Sequence, residues 1–142
     1  MCRFFKLEGK TAVPVSTAEY YRWVIEDPYN GFRRVSADEF FSDTEEEVVE
    51  VSTTFLMGIN HRWMDGTEPL LFETMVFGGT MDLAQWRYST WEQAEAGHEE
   101  VVARLLQEMP HLKKKVDPNL ERKNIPTRTE RVIRNICHSK KN

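Results

Sequence analysis

The sequence predicts an α+β fold: an antiparallel β-meander with a long helix packed on one face. Three features indicate it: period-two alternation over residues 48–59, two further strand-like segments at 70–77 and 85–89, and an apolar stripe of helical spacing after residue 90. An N-terminal strand and helix and a basic C-terminal helical tail complete the prediction. Because a sheet and a helix of this kind each bury one apolar side, we expect the helix across one sheet face.

Length and composition indicate a single soluble domain. The chain has 142 residues, of which 40% are hydrophobic and 30% charged, enough for a core and a hydrated surface. It has no run of 18 apolar residues and no N-terminal apolar segment, so we expect neither a membrane span nor an export signal. Its two cysteines lie near opposite ends without a CxxC pattern, which favours a reducing cytosolic setting.

Charge is divided unevenly along the chain. Residues 1–110 hold 9 Lys and Arg against 20 Asp and Glu, whereas residues 111–142 hold 10 against 3. We therefore expect one α+β domain over 1–110 and a basic tail with a short helix over 111–142. The acidic body and the basic tail can associate within one chain or between two copies, and a solvated tail is the alternative.

The N-terminal part predicts a hairpin of strands 2–8 and 11–15, followed by a helix over Thr17–Ile25. Ser16 and Glu19 have the spacing of a capping box, which marks the start of that helix. The helix is rich in aromatic residues, which indicates core or interface packing, with base stacking as the alternative.

Two segments before the meander leave alternatives open. Residues 32–41 fit a strand, but Ser36–Glu39 could equally begin a helical turn. The acidic residues 43–47 are typical of a solvated loop, with a cation site or a mimic of a nucleic-acid backbone as functional alternatives.

The long helix has clear signals at its start and along its buried side. Ser89-Thr90 offers an N-cap, with Glu92 or Gln93 three residues on. The residues of the apolar stripe are spaced 3, 4, 3 and 4 apart: Trp91, Ala94, His98, Val101 and Leu105. His98 is expected to be a core histidine bonded to a carbonyl rather than a metal ligand.

The meander places the start of this helix beside the loop Asn60–Pro69, which suggests a ligand site. A helix N-terminus presents unpaired N–H groups that favour an anion. Five residues make up this predicted site for an anionic, ring-bearing ligand: Arg62, Trp63, Arg87, Ser89 and Thr90. A satisfied helix cap beside a polar loop is the alternative, because the Glu92 carboxylate competes for the helix dipole.

Catalytic and metal-binding patterns are missing from the sequence. It contains no GxSxG, HExxH, CxxC or Walker motif, so we expect no enzyme, no cofactor and no metal site. The residues of suitable ligand type have no recognised spacing: His61, Asp65, Glu68, His98, His111, Cys137 and His138.

Residues 52–102 resemble a family of small phage- and prophage-encoded proteins. The segments that carry the resemblance are STTFLMGINH, PLLFETMVFGG and RYSTWEQAEAGHEEVV. The resemblance implies a phage setting, and hence the cytoplasm of a bacterial host, without implying a mechanism. Small phage proteins of this size often act by binding a target. This inference rests on analogy with that class of proteins.

The sequence therefore predicts a non-enzymatic phage accessory protein that binds and inhibits a host defence protein as a homo-oligomer. Segregated charge and the aromatic first helix motivate this hypothesis. The alternative is a sponge that sequesters a small anionic, nucleotide-like signalling molecule at the site predicted above.

Overall fold

The computed structural model describes residues 4–26, 33–56 and 69–116 and confirms the predicted α+β fold. In chain order its elements are β1 (Phe4–Glu8), β2 (Thr11–Val15), α1 (Thr17–Glu26), β3 (Arg34–Phe41), β4 (Val48–Phe55), β5 (Phe72–Phe77), β6 (Gln85–Tyr88), α2 (Trp91–Glu108) and β7 (Lys113–Lys114). β1 and β2 form a hairpin, and the other strands form an antiparallel sheet in the order β6-β5-β4-β3-β7. α2 lies across β3, β4, β5 and β6.

The register between β4 and β5 determines which of their residues face α2. Val51 pairs with Val76 and Thr53 with Thr74, so these side chains project to the helix side of the sheet. The residues between them project to the opposite side, which we call the far face. Its members include Glu39 and Phe41 of β3, Glu50 and Ser52 of β4, Met75 and Phe77 of β5, and Arg87 of β6.

Among the described residues, the core consists of two hydrophobic clusters on the helix side. The upper cluster contains Phe5, Leu7, Phe55, Leu71, Phe72, Trp91 and Ala94. The lower cluster contains Phe40, Val49, Val51, Val76, Met81, Val101, Leu105, Met109 and Leu112. Every residue of the predicted α2 stripe is buried, as the helical spacing requires. A fully buried side chain of this size stabilises the fold by about 1.5–3 kcal/mol, so the two clusters supply much of the driving force.

The predicted starts of both helices are confirmed. The Ser16 Oγ accepts the Glu19 N–H at 3.2 Å, and α1 ends one residue beyond the predicted Ile25.

Gly78 and Gly79, which end β5, have φ of 91° and 68°. A Cβ at Gly78 would meet the backbone carbonyl of Val48, so glycine is needed there for both conformation and space.

Three features differ from the prediction or lie beyond it. Residues 34–41 form a strand throughout, so the helical-turn alternative at Ser36–Glu39 is wrong. β7 was not predicted, and it forms because Lys113 and Lys114 pair with the edge of β3. Most of the loop Asn60–Pro69 and the predicted tail helix opened by Thr127 lie outside the described residues.

Candidate functional site

Ser89 and Thr90 lie at the start of α2, where the ligand site is predicted. Thr90 is the N-cap residue, and its Oγ1 accepts the Gln93 N–H at 3.1 Å. The Gln93 Oε1 accepts the N–H groups of Ser89 and Thr90 at 3.1 and 3.3 Å. Three backbone donors at this helix end are therefore satisfied within the chain, as the cap alternative expects.

Arg87 lies on the other side of the sheet from this helix end. Its Nε donates to the Glu73 Oε2 at 3.1 Å, and the two residues are direct partners across β5 and β6. The Glu73 carboxylate, whose side chain is only 15% exposed, thus has a charged partner. The structure brings Ser89 and Thr90 together and separates Arg87 from them, while Arg62 and Trp63 lie outside the described residues.

The acidic loop 43–47 faces the basic segment 111–115, which runs along the β3 edge. Two side-chain pairs connect the loop to this segment, Glu47 with His111 and Asp43 with Lys113, and two connect the segment to β3, Asp38 with Lys114 and Glu39 with Lys115. The last three are ion pairs, and the first is a 2.8 Å contact between the His111 Nε2 and a Glu47 oxygen. The start of the basic tail therefore associates with the acidic body of its own chain.

A chain of polar side chains lies between the two hydrophobic clusters. The Thr53 Oγ1 lies 2.6 Å from the Thr74 Oγ1 and 2.8 Å from the His98 Nδ1. The His98 Nε2 lies 2.9 Å from an Asp38 carboxylate oxygen, and the other Asp38 oxygen lies 2.9 Å from the Lys114 ammonium. We call this series the polar layer. It crosses β5, β4, α2 and β3 and reaches the surface at β7.

The direction of the hydrogen bonds in the polar layer depends on the His98 tautomer. In the tautomer with its proton on Nε2, His98 donates to Asp38 and its Nδ1 accepts the Thr53 hydroxyl proton. Thr53 then accepts from Thr74. The His98 hydrogen bond, with the Lys114 ammonium, holds the pKa of Asp38 below its ordinary value although burial acts against it. Burial raises the pKa of Tyr88.

Thr53, His98 and Asp38 have the residue types and order of a nucleophile, a base and an orienting carboxylate. Thr53 is fully buried and His98 is 2% exposed, so a substrate cannot reach the hydroxyl in this conformation. The arrangement instead attaches the middle of α2 to the sheet.

Sequence reasoning placed His98 in the core correctly but assigned it a carbonyl partner, which is wrong. Its partners are side chains 45 and 60 residues away in the chain. The signal in the sequence is that Thr53 and Thr74 occupy helix-facing positions of strands whose other helix-facing residues are apolar.

The described histidines, whose side chains are of a type that can bind a metal, make other contacts. Within residues 4–26, 33–56 and 69–116, no group of three His, Cys, Asp or Glu side chains could hold a metal ion. His98 and His111 each bond a carboxylate of their own chain. The other histidines and the cysteines lie outside these ranges.

The first helix has one packed side and one exposed apolar side. On the packed side, the Tyr20 ring is 1% exposed and lies 4.8 Å from Phe4, while Trp23 lies 5.9 Å from Phe55 of the core. Tyr21 and Ile25, one turn apart, remain 54% and 75% exposed. We call this pair the outer α1 face.

Comparison of the chain with protein-family models, with curated proteins and with solved structures finds no match. Neither described helix is long and apolar enough to cross a membrane.

Proposed function

We propose that the protein is a phage-encoded accessory protein that binds and inhibits a host defence protein in the bacterial cytoplasm, without catalysing a reaction. The outer α1 face is the observation that carries this proposal. Large apolar side chains that remain exposed together mark protein-binding surfaces, and tyrosine is enriched where such binding is strongest.

The surroundings of Tyr21 suit it to act as an anchor. Its ring lies 5.5 Å from the Tyr20 ring of α1 and 6.3 Å from the Phe4 ring of β1. A ring supported in this way loses little conformational freedom when a partner covers it. Arg22 and Glu26, both exposed, border the apolar pair and form a polar rim.

The polar layer is consistent with a binding role. Thr53 and His98, the described residues that most resemble catalytic groups, serve to pack α2 on the sheet. The exposed surface near α1, rather than these buried residues, then determines which partner is recognised.

Phage plating on bacteria that carry single defence systems tests the proposal. Expression of the protein should restore plating of a sensitive phage against at least one system. The Tyr21→Ala, Ile25→Ser double variant should lose this effect while it keeps the unfolding midpoint of the wild type. Leu83→Asn is the matched control, because Leu83 is an exposed apolar residue elsewhere, at a φ of 66° that asparagine tolerates.

Two results would overturn the proposal. Either no defence system is affected, or the double variant protects the phage as well as the wild type and Leu83→Asn do. Native mass spectrometry of the purified protein tests two expectations together: the alternative function, which is sequestration of a small ligand, and the expected homo-oligomer. A captured adduct of nucleotide size, lost on denaturation, would favour sequestration of a small anionic signal.

A further inference from the structure

The two edges of the five-stranded sheet differ in how open they are to a further strand. One edge is β7, which has two residues, both lysines, and short charged strands of this kind discourage pairing with another chain. Among the described residues the other edge is β6, which has four residues. Its one charged residue, Arg87, is paired with Glu73 of β5. The charge that could repel a further strand at β6 is thus already compensated.

The backbone groups of β6 alternate between the sheet and this edge. The Ala84 carbonyl accepts the Val76 N–H at 3.1 Å, and the Tyr88 carbonyl accepts the N–H of the residue just before β5 at 2.9 Å. Even-numbered residues therefore bond towards β5. Since successive residues of a strand turn their N–H and C=O groups to opposite sides, Gln85 and Arg87 direct theirs away from β5. Each offers one donor and one acceptor to a neighbouring strand.

We propose that β6 pairs antiparallel with β6 of a second copy of this chain, with the two Trp86 residues directly opposite each other. The two five-stranded sheets then form one continuous sheet that carries α2 of both copies on the same side. Gln85 of each copy lies opposite Arg87 of the other, and each of these pairs exchanges two backbone hydrogen bonds. The pairing uses no residue of the outer α1 face, so it holds or fails separately from the function proposed above.

Backbone hydrogen bonding restricts the register, because the outward residues of one strand must lie opposite the outward residues of the other. One neighbouring register places the two Arg87 residues opposite each other, which brings like charges together. It also needs the Ser89 N–H, which already donates to the Gln93 Oε1 at 3.1 Å. This register is therefore disfavoured twice.

The register shifted the other way is disfavoured by the turn before β6. It places Arg87 opposite Leu83, whose N–H already donates to the Val76 carbonyl at 2.8 Å. Leu83 has a φ of 66°, which is not an extended conformation and does not continue a ladder. The register about Trp86 has neither conflict and uses the outward groups of both Gln85 and Arg87.

The side chains on both faces suit a second copy of the same strand. Trp86 is in register with Thr74, so it lies on the helix side, where it is half-buried against the lower cluster. Directly opposite residues of a non-hydrogen-bonded pair have Cα atoms about 4.5 Å apart, and aromatic pairs in this position stabilise sheets. On the far face, the exposed Gln85 amide lies opposite the Arg87 guanidinium and can accept a hydrogen bond from it.

Sedimentation equilibrium of the full-length protein tests the pairing. We expect a mass of twice the 16.7 kDa of one chain for the wild type, and of one chain for Gln85→Pro. Proline removes the Gln85 N–H, which points away from β5, so the bonds between β5 and β6 are kept. Gln85→Ala is the matched control, because it removes the same side chain but keeps the N–H, and it should remain a dimer. Circular dichroism checks that both variants are folded.

Isotope-filtered NMR tests the register in the wild type, without a substitution. In an equal mixture of carbon-13-labelled and unlabelled chains, we expect a nuclear Overhauser effect between the Trp86 Hα of a labelled chain and the Trp86 Hα of an unlabelled one. These protons are close only when the two residues lie directly opposite each other across the two strands.

Three results would overturn the proposal. The first is a wild type that stays monomeric at the concentrations used for NMR. The second is a folded Gln85→Pro variant that dimerises as strongly as Gln85→Ala, which would place the contact between copies on another surface. The third is a dimer in which the effect between the two Trp86 Hα protons is missing.

Discussion

The His98 Nε2 and the Asp38 Oδ2 lie 2.9 Å apart, which joins the middle of α2 to β3. On α2, His98 lies between Ala94 of the upper cluster and Val101 of the lower one. An apolar interface alone would tolerate small shifts of the helix along the sheet. A hydrogen bond with defined partners in a low-dielectric site penalises such shifts, so we infer that the polar layer sets the position of α2.

The first prediction concerns acid stability. The His98 hydrogen bond and the Lys114 ammonium lower the pKa of Asp38 in the folded state. A depressed folded pKa gives stability that is fully present above the unfolded value, roughly 3.9, and is lost as the pH falls through the folded value. The unfolding free energy of Asp38→Asn should therefore fall less between about pH 5 and pH 2 than that of the wild type.

Urea denaturation followed by tryptophan fluorescence at a series of pH values measures this slope. Glu39→Gln is the matched control, since Glu39 is a carboxylate on the far face of the same strand. An acid dependence in Asp38→Asn as steep as that of the wild type would contradict the prediction.

Thr53→Val should destabilise the fold far more than Thr54→Val. The change keeps the shape of the side chain but leaves both the His98 Nδ1 and the Thr74 hydroxyl without their Thr53 partner. Each unsatisfied buried group costs about 1–3 kcal/mol. Thr54 projects to the other side of β4, where a change of about 0.5 kcal/mol or less is expected. Equal unfolding midpoints in urea for the two variants would mean that the polar layer adds no stability.

Much of the fold follows from local patterns in the sequence. Burial of one strand face imposes period two on β4, and burial of one helix face imposes the stripe from Trp91 to Leu105. The cap at Thr90 follows from the short range of its hydrogen bonds. These features depend only on residues a few positions apart, so the sequence predicts them.

The candidate sites depend on longer distances. Arg87 was expected at the helix end, but register with Glu73 places it on the far face, and register is a property of two strands together. β7 consists of two lysines, which have no local tendency to form a strand. Its partners, the backbone edge of β3 and the Asp38 carboxylate, lie far earlier in the chain.

Gly97→Ala should destabilise the protein although alanine favours helices. A Cβ at Gly97 would overlap the ring and hydroxyl of Tyr88, which lies against this part of α2. Overpacking of this kind costs about 1–3 kcal/mol, against about 1 kcal/mol that alanine contributes through helix propensity.

A double-mutant cycle with Tyr88→Ala provides the control for Gly97→Ala. In the Tyr88→Ala background the same change should become neutral or stabilising, because the overlap is removed. Thermal denaturation of the four proteins gives the coupling. A Gly97→Ala variant that is more stable than the wild type would show that the ring moves aside freely.

The last prediction distinguishes two neighbouring lysines of β7. Lys114 bonds Asp38, whose side chain is 18% exposed, whereas Lys113 bonds Asp43, whose side chain is 74% exposed. Water and salt screen the second pair more, so Lys114→Ala should lower the unfolding free energy by up to about 1 kcal/mol and Lys113→Ala by a few tenths, roughly. The Lys114→Ala variant also leaves Asp38 with His98 as its remaining partner in the polar layer, which should raise the pH at which acid unfolds the protein. Urea titrations at pH 7 measure the first effect and an acid titration measures the second. The same loss of unfolding free energy in both variants would mean that β7 is held by its backbone bonds rather than by Asp38.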